Sequence, residues 1–168
     1  RGLHTSVLEQ QDRLLPQLLD EDMGALLLRD TKNPLLDIYL EERAGAFSVE
    51  NGRVVGVQTD KRLISAQLVV VAVGVRPNVE LAREAGLAIG PSGCIAVNEY
   101  LQTSDSAIYA GGDCAENTHR VSKAKVFVPM GSTANKHGRV IADNICGAQK
   151  KYPGVMGTAA CRFFAQEA

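Results

Sequence analysis

Thr103-Ser104-Asp105-Ser106-Ala107-Ile108-Tyr109-Ala110-Gly111-Gly112-Asp113 is the stretch whose reading decides the fold. It reads as a short buried strand, then a run of small residues, then one carboxylate. Ala110, Gly111 and Gly112 then carry almost no side chain, so a bulky ligand can approach the backbone. Asp113 follows at the strand's carboxyl end, which is where ligands bind in open α/β sheets. Its carboxylate is placed there to accept hydrogen bonds from ligand hydroxyls.

The sequence around this stretch alternates helix and strand signals, which predicts an α/β fold. His4 to Glu9 reads as a short strand ending in an acid. Asp20 is a plausible N-cap for a helix through about Asp30, with Glu21 and Asp22 suited to its positive end. Ile38 to Glu41 is a further short strand. Asn51-Gly52 joins Ala46–Glu50 to Val54–Thr59 as a hairpin. Leu68 to Gly74 is a continuous, mostly β-branched run, the pattern of a strand buried on both faces. Glu80 to Ala85 makes a short helix closed by Gly86, and Cys94 to Val97 a strand. Ser132 to Cys146 reads as a helix with Ser132 as N-cap and Gly147 past its end. Gly138 inside that helix suggests a close-packing reason.

The totals bound the function classes. At 168 residues the chain has room for one domain or two small ones. A net charge of -1 leaves no electrostatic footprint for nucleic acid or for an anionic membrane. The longest apolar run, Leu68 to Val75, is too short to span a bilayer. The four cysteines, Cys94, Cys114, Cys146 and Cys161, form no Cys-x-x-Cys pair and read as small buried hydrophobes of a reducing cytoplasm. His4, His119 and His137 have no metal-ligand spacing and read as surface or capping residues.

Three further features carry chemistry on one reading and nothing special on the other. Glu9 at a strand end either accepts hydrogen bonds from the hydroxyls of an adenine ribose, as in a Rossmann unit, or is a solvated acid. Gly74 either admits a nucleotide to the backbone or ends a plain strand. The helix start at Gly131, Ser132 and Ala134 presents free N–H groups and small side chains. That suits either a flat ring or an ordinary capped helix with no ligand. No Gly-x-Gly-x-x-Gly unit occurs: Gly45, Gly52 and Gly56 lack its spacing.

Taken in order, Val70–Asn78, Thr103–Asp113 and Pro129–Arg139 resemble the FAD-dependent pyridine nucleotide-disulfide oxidoreductases. Val128-Pro129-Met130-Gly131-Ser132-Thr133-Ala134-Asn135-Lys136 is similar to the NADH oxidase and coenzyme A-disulfide reductase branch. The resemblance implies cofactors FAD and NAD(H), with NADP(H) open. It gives Glu9 and Gly74 to NAD, Gly112 and Asp113 to the ribitol of FAD, and Gly131, Ser132 and Ala134 to the border of the isoalloxazine. It divides the chain into residues 1–76, a partial NAD-binding domain, residues 77–154, the carboxy-terminal part of an FAD domain, and residues 155–168, the start of a dimerisation domain. It also implies an internal fragment of a cytoplasmic, homodimeric enzyme, with the redox-active cysteine elsewhere. Such an enzyme passes hydride from NAD(P)H to FAD and on to a disulfide, oxygen or another small-molecule acceptor. The alternatives are a non-catalytic, redox-sensing flavoprotein module and a reductase for an electron-carrier protein.

Overall fold

The computed structural model describes residues 2–160, 162–163 and 166–167. The chain forms two compact units, Arg1–Ala72 with Ala159–Ala168, and Val73–Thr158.

The first unit begins with a βαβ arrangement. Strand β1 (Thr5–Leu8) is followed by helix α1 (Glu21–Asp30) and strand β2 (Leu36–Tyr39). The two strands pair in parallel, Thr5 opposite Leu36 and Leu8 opposite Tyr39. A parallel pair requires such a crossover, and the helix supplies it. Asp20 occupies the N-cap position in extended geometry, without a side-chain capping bond. Gly24 and Leu27 are the buried positions of α1, and Leu14 is buried in the same unit.

Strands β3 (Ala44–Glu50), β4 (Arg53–Thr59) and β5 (Leu63–Ser65) form an antiparallel meander. Asn51 and Gly52 make its first turn with φ of 50° and 74°. Both are left-handed, as a two-residue hairpin turn matched to strand twist demands.

The second unit has little regular strand. Helix α2 (Glu80–Glu84) packs its Ala82 into a core of Val79, Ile95, Ala110 and Ala115. The 3₁₀ turn Gly112–Cys114 follows, then the strand pair β6 (Asn117–Thr118) and β7 (Lys125–Val126). Helix α3 (Gly131–Ile145) closes the unit and ends before Gly147 at φ 92°. In the first unit, β8 (Arg162–Phe163) pairs antiparallel with β9 (Gln166–Glu167). Cys161 and Phe164, expected as a buried cysteine and as part of a dimerisation segment, lie outside the described residues.

Four expectations about elements are corrected. Leu68 to Gly74 is no buried strand: no strand pairs with it among the described residues, and Val70 and Val73 are 78% and 91% exposed. An extended run becomes a strand only where a neighbour supplies its ladder bonds, and none of the described residues does. Ala107 to Ala110 likewise forms only an isolated bridge, Gln102 to Tyr109, with Ile108 exposed and Ala110 buried. Cys94 to Val97 is reduced to bridges at Ile95, one of them parallel to Ala115. Helix α3 starts one residue earlier than expected. Met130 is its N-cap, and Ser132 is a helical residue rather than the cap. Among the described residues no helix is long and apolar enough to cross a membrane.

Candidate functional site

Within the second unit, a groove of about 570 Å³ opens between the 75–78 segment, Asp113, Cys114, Phe127 and the start of α3 at Gly131 and Ala134. Its floor follows from how α3 meets the 3₁₀ turn. Gly112 has φ 81°, a left-handed conformation that glycine adopts without strain. A methyl group there would stand 3.6 Å from the Ala134 Cβ, so the turn rests on the helix at van der Waals distance. The Gly112 N–H donates to His137 Nδ1 at 3.1 Å. Asp113 is then carried to the groove with its side chain exposed, and among the described residues no protein donor is hydrogen-bonded to its carboxylate.

The helix start contributes polar capacity of its own. The first bonds of the helix run from Thr133 and Ala134 N–H to the Met130 carbonyl, at 2.9 and 3.0 Å. The N–H groups of Gly131 and Ser132 therefore precede the hydrogen-bonded ladder and, with the helix dipole, favour negative charge. Ser132 is exposed but does not line the groove. Gly131 and Ala134 do. A side chain at Gly131 would meet nothing within 4 Å, so protein packing does not demand glycine there.

The remaining expected residues lie apart from the groove lining. Gly74 has φ 91°, is exposed and precedes the lining segment by one residue. Glu9 belongs to the first unit and sits just past β1 at the carboxyl end of the parallel pair. Its backbone joins Tyr39 and Glu42, and its Oε1 accepts the Gln11 N–H at 2.9 Å.

His137, Glu116 and Glu42 are buried groups that the sequence did not single out. His137 is 0% exposed, against the expectation of a surface or capping residue. Burial holds its pKa below the ordinary histidine value. Glu116, 4% exposed, accepts from the Ser92 hydroxyl at 2.8 Å and faces Lys125 Nζ at 3.6 Å. Glu42, 2% exposed, accepts from the Thr59 hydroxyl at 2.7 Å and from Arg62 Nε at 3.1 Å. Both acids fasten turns: Gly90–Gly93 to β7 in one unit, and the β4–β5 turn to the segment after β2 in the other. His119 caps the turn between β6 and β7 by accepting the Ser122 N–H at 3.2 Å, as a capping residue does. Of the cysteines, Cys94 is buried and Cys146 exposed, which corrects a uniform assignment to the interior. Among the described residues no group of three or more potential ligands is placed to hold a metal ion.

The arrangement can receive a flat, hydroxyl-bearing ligand, with a carboxylate for its hydroxyls and a helix start for its electron-rich edge. Comparison with known proteins gives that arrangement a family. Residues 1–131 match the profile described as pyridine nucleotide-disulphide oxidoreductase. The NAD(P)H coenzyme A polysulfide/persulfide reductase of Pyrococcus horikoshii is 36% identical over 163 residues, 97% of this chain and 36% of the relative. The NADH oxidase of Methanocaldococcus jannaschii is 36% identical over 95% of this chain and 35% of its own length. A crystal structure of an FAD-dependent pyridine nucleotide-disulphide oxidoreductase from Desulfovibrio vulgaris superposes with a TM-score of 0.90. It is 37% identical, over 99% of this chain and 42% of the other. The chain thus spans about a third of the length of these curated relatives. The profile match takes in both the βαβ arrangement and the Gly112-Asp113 turn, and the chain belongs to the pyridine nucleotide-disulphide oxidoreductase family.

Proposed function

We propose that the groove is the ribitol-and-ring part of an FAD site, in a flavoprotein that passes hydride from NAD(P)H to a sulfur–sulfur bond. The exposed Asp113 carboxylate, held beside the start of α3 with no protein donor of its own among the described residues, carries this reading. A carboxylate so placed is matched to ligand hydroxyls, and Gly112 keeps the approach clear. Gly131, Ser132 and Ala134 border the ring and favour negative charge on it. In the first unit, Glu9 accepts hydrogen bonds from the ribose hydroxyls of NAD(H); in the second, Gly74 leaves the backbone open to a nucleotide. FAD, when bound, supplies the hydride-accepting centre between nicotinamide and acceptor. The persulfide-reductase name of the P. horikoshii relative supports the sulfur acceptor, and the FAD-dependent description of the D. vulgaris structure supports the cofactor.

An amide-resolved NMR titration of the ¹⁵N-labelled chain tests the assignment. FAD, held weakly for want of a pyrophosphate loop, is expected at millimolar concentration to move the resonances of Gly112, Asp113 and the 131–134 segment, and NADH those around Glu9. Asp113→Ala is expected to suppress the first set and leave the second. Amides of the groove that stay still at saturating FAD, or that move equally in Asp113→Ala, overturn the reading. The chain mixed with FAD and NADH is expected to give no turnover, since it holds no Gly-x-Gly-x-x-Gly loop for either pyrophosphate.

A further inference from the structure

We propose that His137 is a positioning residue for the groove: a neutral imidazole, protonated on Nε2, whose Nδ1 holds the Gly112 amide and so fixes the turn that presents Asp113. The inference rests on the reading of the groove as a flavin subsite, but its geometric part stands on the protein alone.

The tautomer follows from the hydrogen bond. The Gly112 N–H can only donate, so Nδ1, 3.1 Å away, must offer a lone pair. The proton of a neutral ring then sits on Nε2. That atom is buried and has no hydrogen-bond partner among the described residues. The ring instead meets Tyr152 edge to face, with centroids 4.4 Å apart. A protonated ring would bring a second N–H against the Gly112 N–H and bury an uncompensated charge.

No charged group is hydrogen-bonded to the ring among the described residues. From the turn, the titratable groups are Asp113 and Cys114, which line the groove, and the Asp113 carboxylate is exposed to solvent that screens it. From the segment after α3 it is Tyr152, whose phenol is itself held neutral by burial. On α3, Lys136 and Arg139 are exposed. Burial is the cause that lowers the His137 pKa. Gly111 lets the turn come this near to the helix: a methyl on Gly111 would stand 3.1 Å from the His137 Cβ.

A structural filler would need only the volume of a histidine. A positioning residue needs the acceptor, and asparagine supplies an oxygen near where Nδ1 stands while leucine does not. Ring ¹⁵N NMR of the unmodified chain is expected to show Nδ1 unprotonated and Nε2 protonated, and to stay so as the pH falls past the ordinary histidine pKa of about 6.5. A ring protonated on Nδ1, or an imidazolium near that pH, overturns the proposal without reference to flavin. With FAD as the probe, His137→Leu is expected to weaken the groove's response about tenfold, the size of one lost hydrogen bond, while His137→Asn stays within about threefold of wild type. Equal responses from the leucine and wild-type chains overturn the positioning role. Groove amides that ignore FAD in the wild type sink the flavin reading instead, and the ring measurement tells the two failures apart.

Discussion

Gly111 lies so close to His137 that a methyl on it would stand 3.1 Å from the His137 Cβ, and 2.7 Å from the Ile141 Cδ1. The Ile141 terminus can rotate away. The His137 Cβ is fixed to the helix backbone and yields only if α3 lifts. Gly111→Ala is therefore an overpacking change, expected to cost about 1–3 kcal/mol. Urea denaturation followed by circular dichroism measures it. An unchanged midpoint would mean that α3 does not bear on the turn as described.

Gly138 is the opposite case on the same helix. The sequence suggested a packing reason for a glycine there, but the position is exposed and a methyl would meet nothing within 4 Å. Only the backbone cost of glycine in a helix remains. Gly138→Ala is expected to raise stability by up to about 1 kcal/mol, read as a higher thermal midpoint. A lower midpoint would reveal a contact on that face.

What the sequence disclosed and what it hid divide by range. The Asn51-Gly52 turn was legible because its demand for two left-handed residues is local, and the structure has φ 50° and 74° there. Helix α1 was legible for a similar reason, since Asp20 and the acids after it mark its start locally. Leu68 to Gly74 was misread because a β-branched run states a preference, whereas a strand also needs a hydrogen-bonded neighbour. His137 was misread because it sits in a polar run, Asn135-Lys136-His137-Gly138-Arg139. Only helical spacing reveals that Ala134, His137 and Ile141 share the face that packs on the glycines. Glu42 and Glu116 left no local signal, since their partners Thr59 and Ser92 lie 17 and 24 residues away.

Thr59 is the most connected of those distant partners. Its hydroxyl donates to the buried Glu42 at 2.7 Å and accepts the Arg62 N–H at 2.8 Å. Thr59→Val keeps the shape and removes these bonds, together with the one that the hydroxyl accepts from the Lys61 N–H at 3.1 Å, leaving the carboxylate to Arg62 alone. The expected loss is about 1–3 kcal/mol, with hydrogen exchange accelerated in β4 and β5. Thr59→Ser is expected to recover most of it. Exchange rates for Thr59→Val that match wild type would show that Arg62 alone satisfies the acid.

Stability is expected to fall at both ends of the pH range, for reasons of opposite sign. The folded His137 pKa is lowered, so the unfolded chain binds the proton first. Its contribution is fully present above the unfolded value of about 6.5 and is lost as pH falls from there through the folded pKa. His137→Asn is expected to flatten this acid limb. The Cys94 thiol is raised, chiefly by burial, with Glu116 and Cys114 adding to it and the Ser92 hydrogen bond opposing. Its contribution is full below the unfolded value of about 8.5 and is lost as pH rises from there through the folded pKa. Cys94→Ala is expected to flatten that first alkaline step, leaving a later one near pH ~10 for Tyr152, whose phenol is raised in the same direction by burial. Alkylation gives an independent check at neutral pH: iodoacetamide is expected to label the exposed Cys146 and to reach the buried Cys94 only after denaturant is added. Labelling of Cys94 in the native chain at the rate of Cys146 would contradict the burial on which the alkaline limb depends.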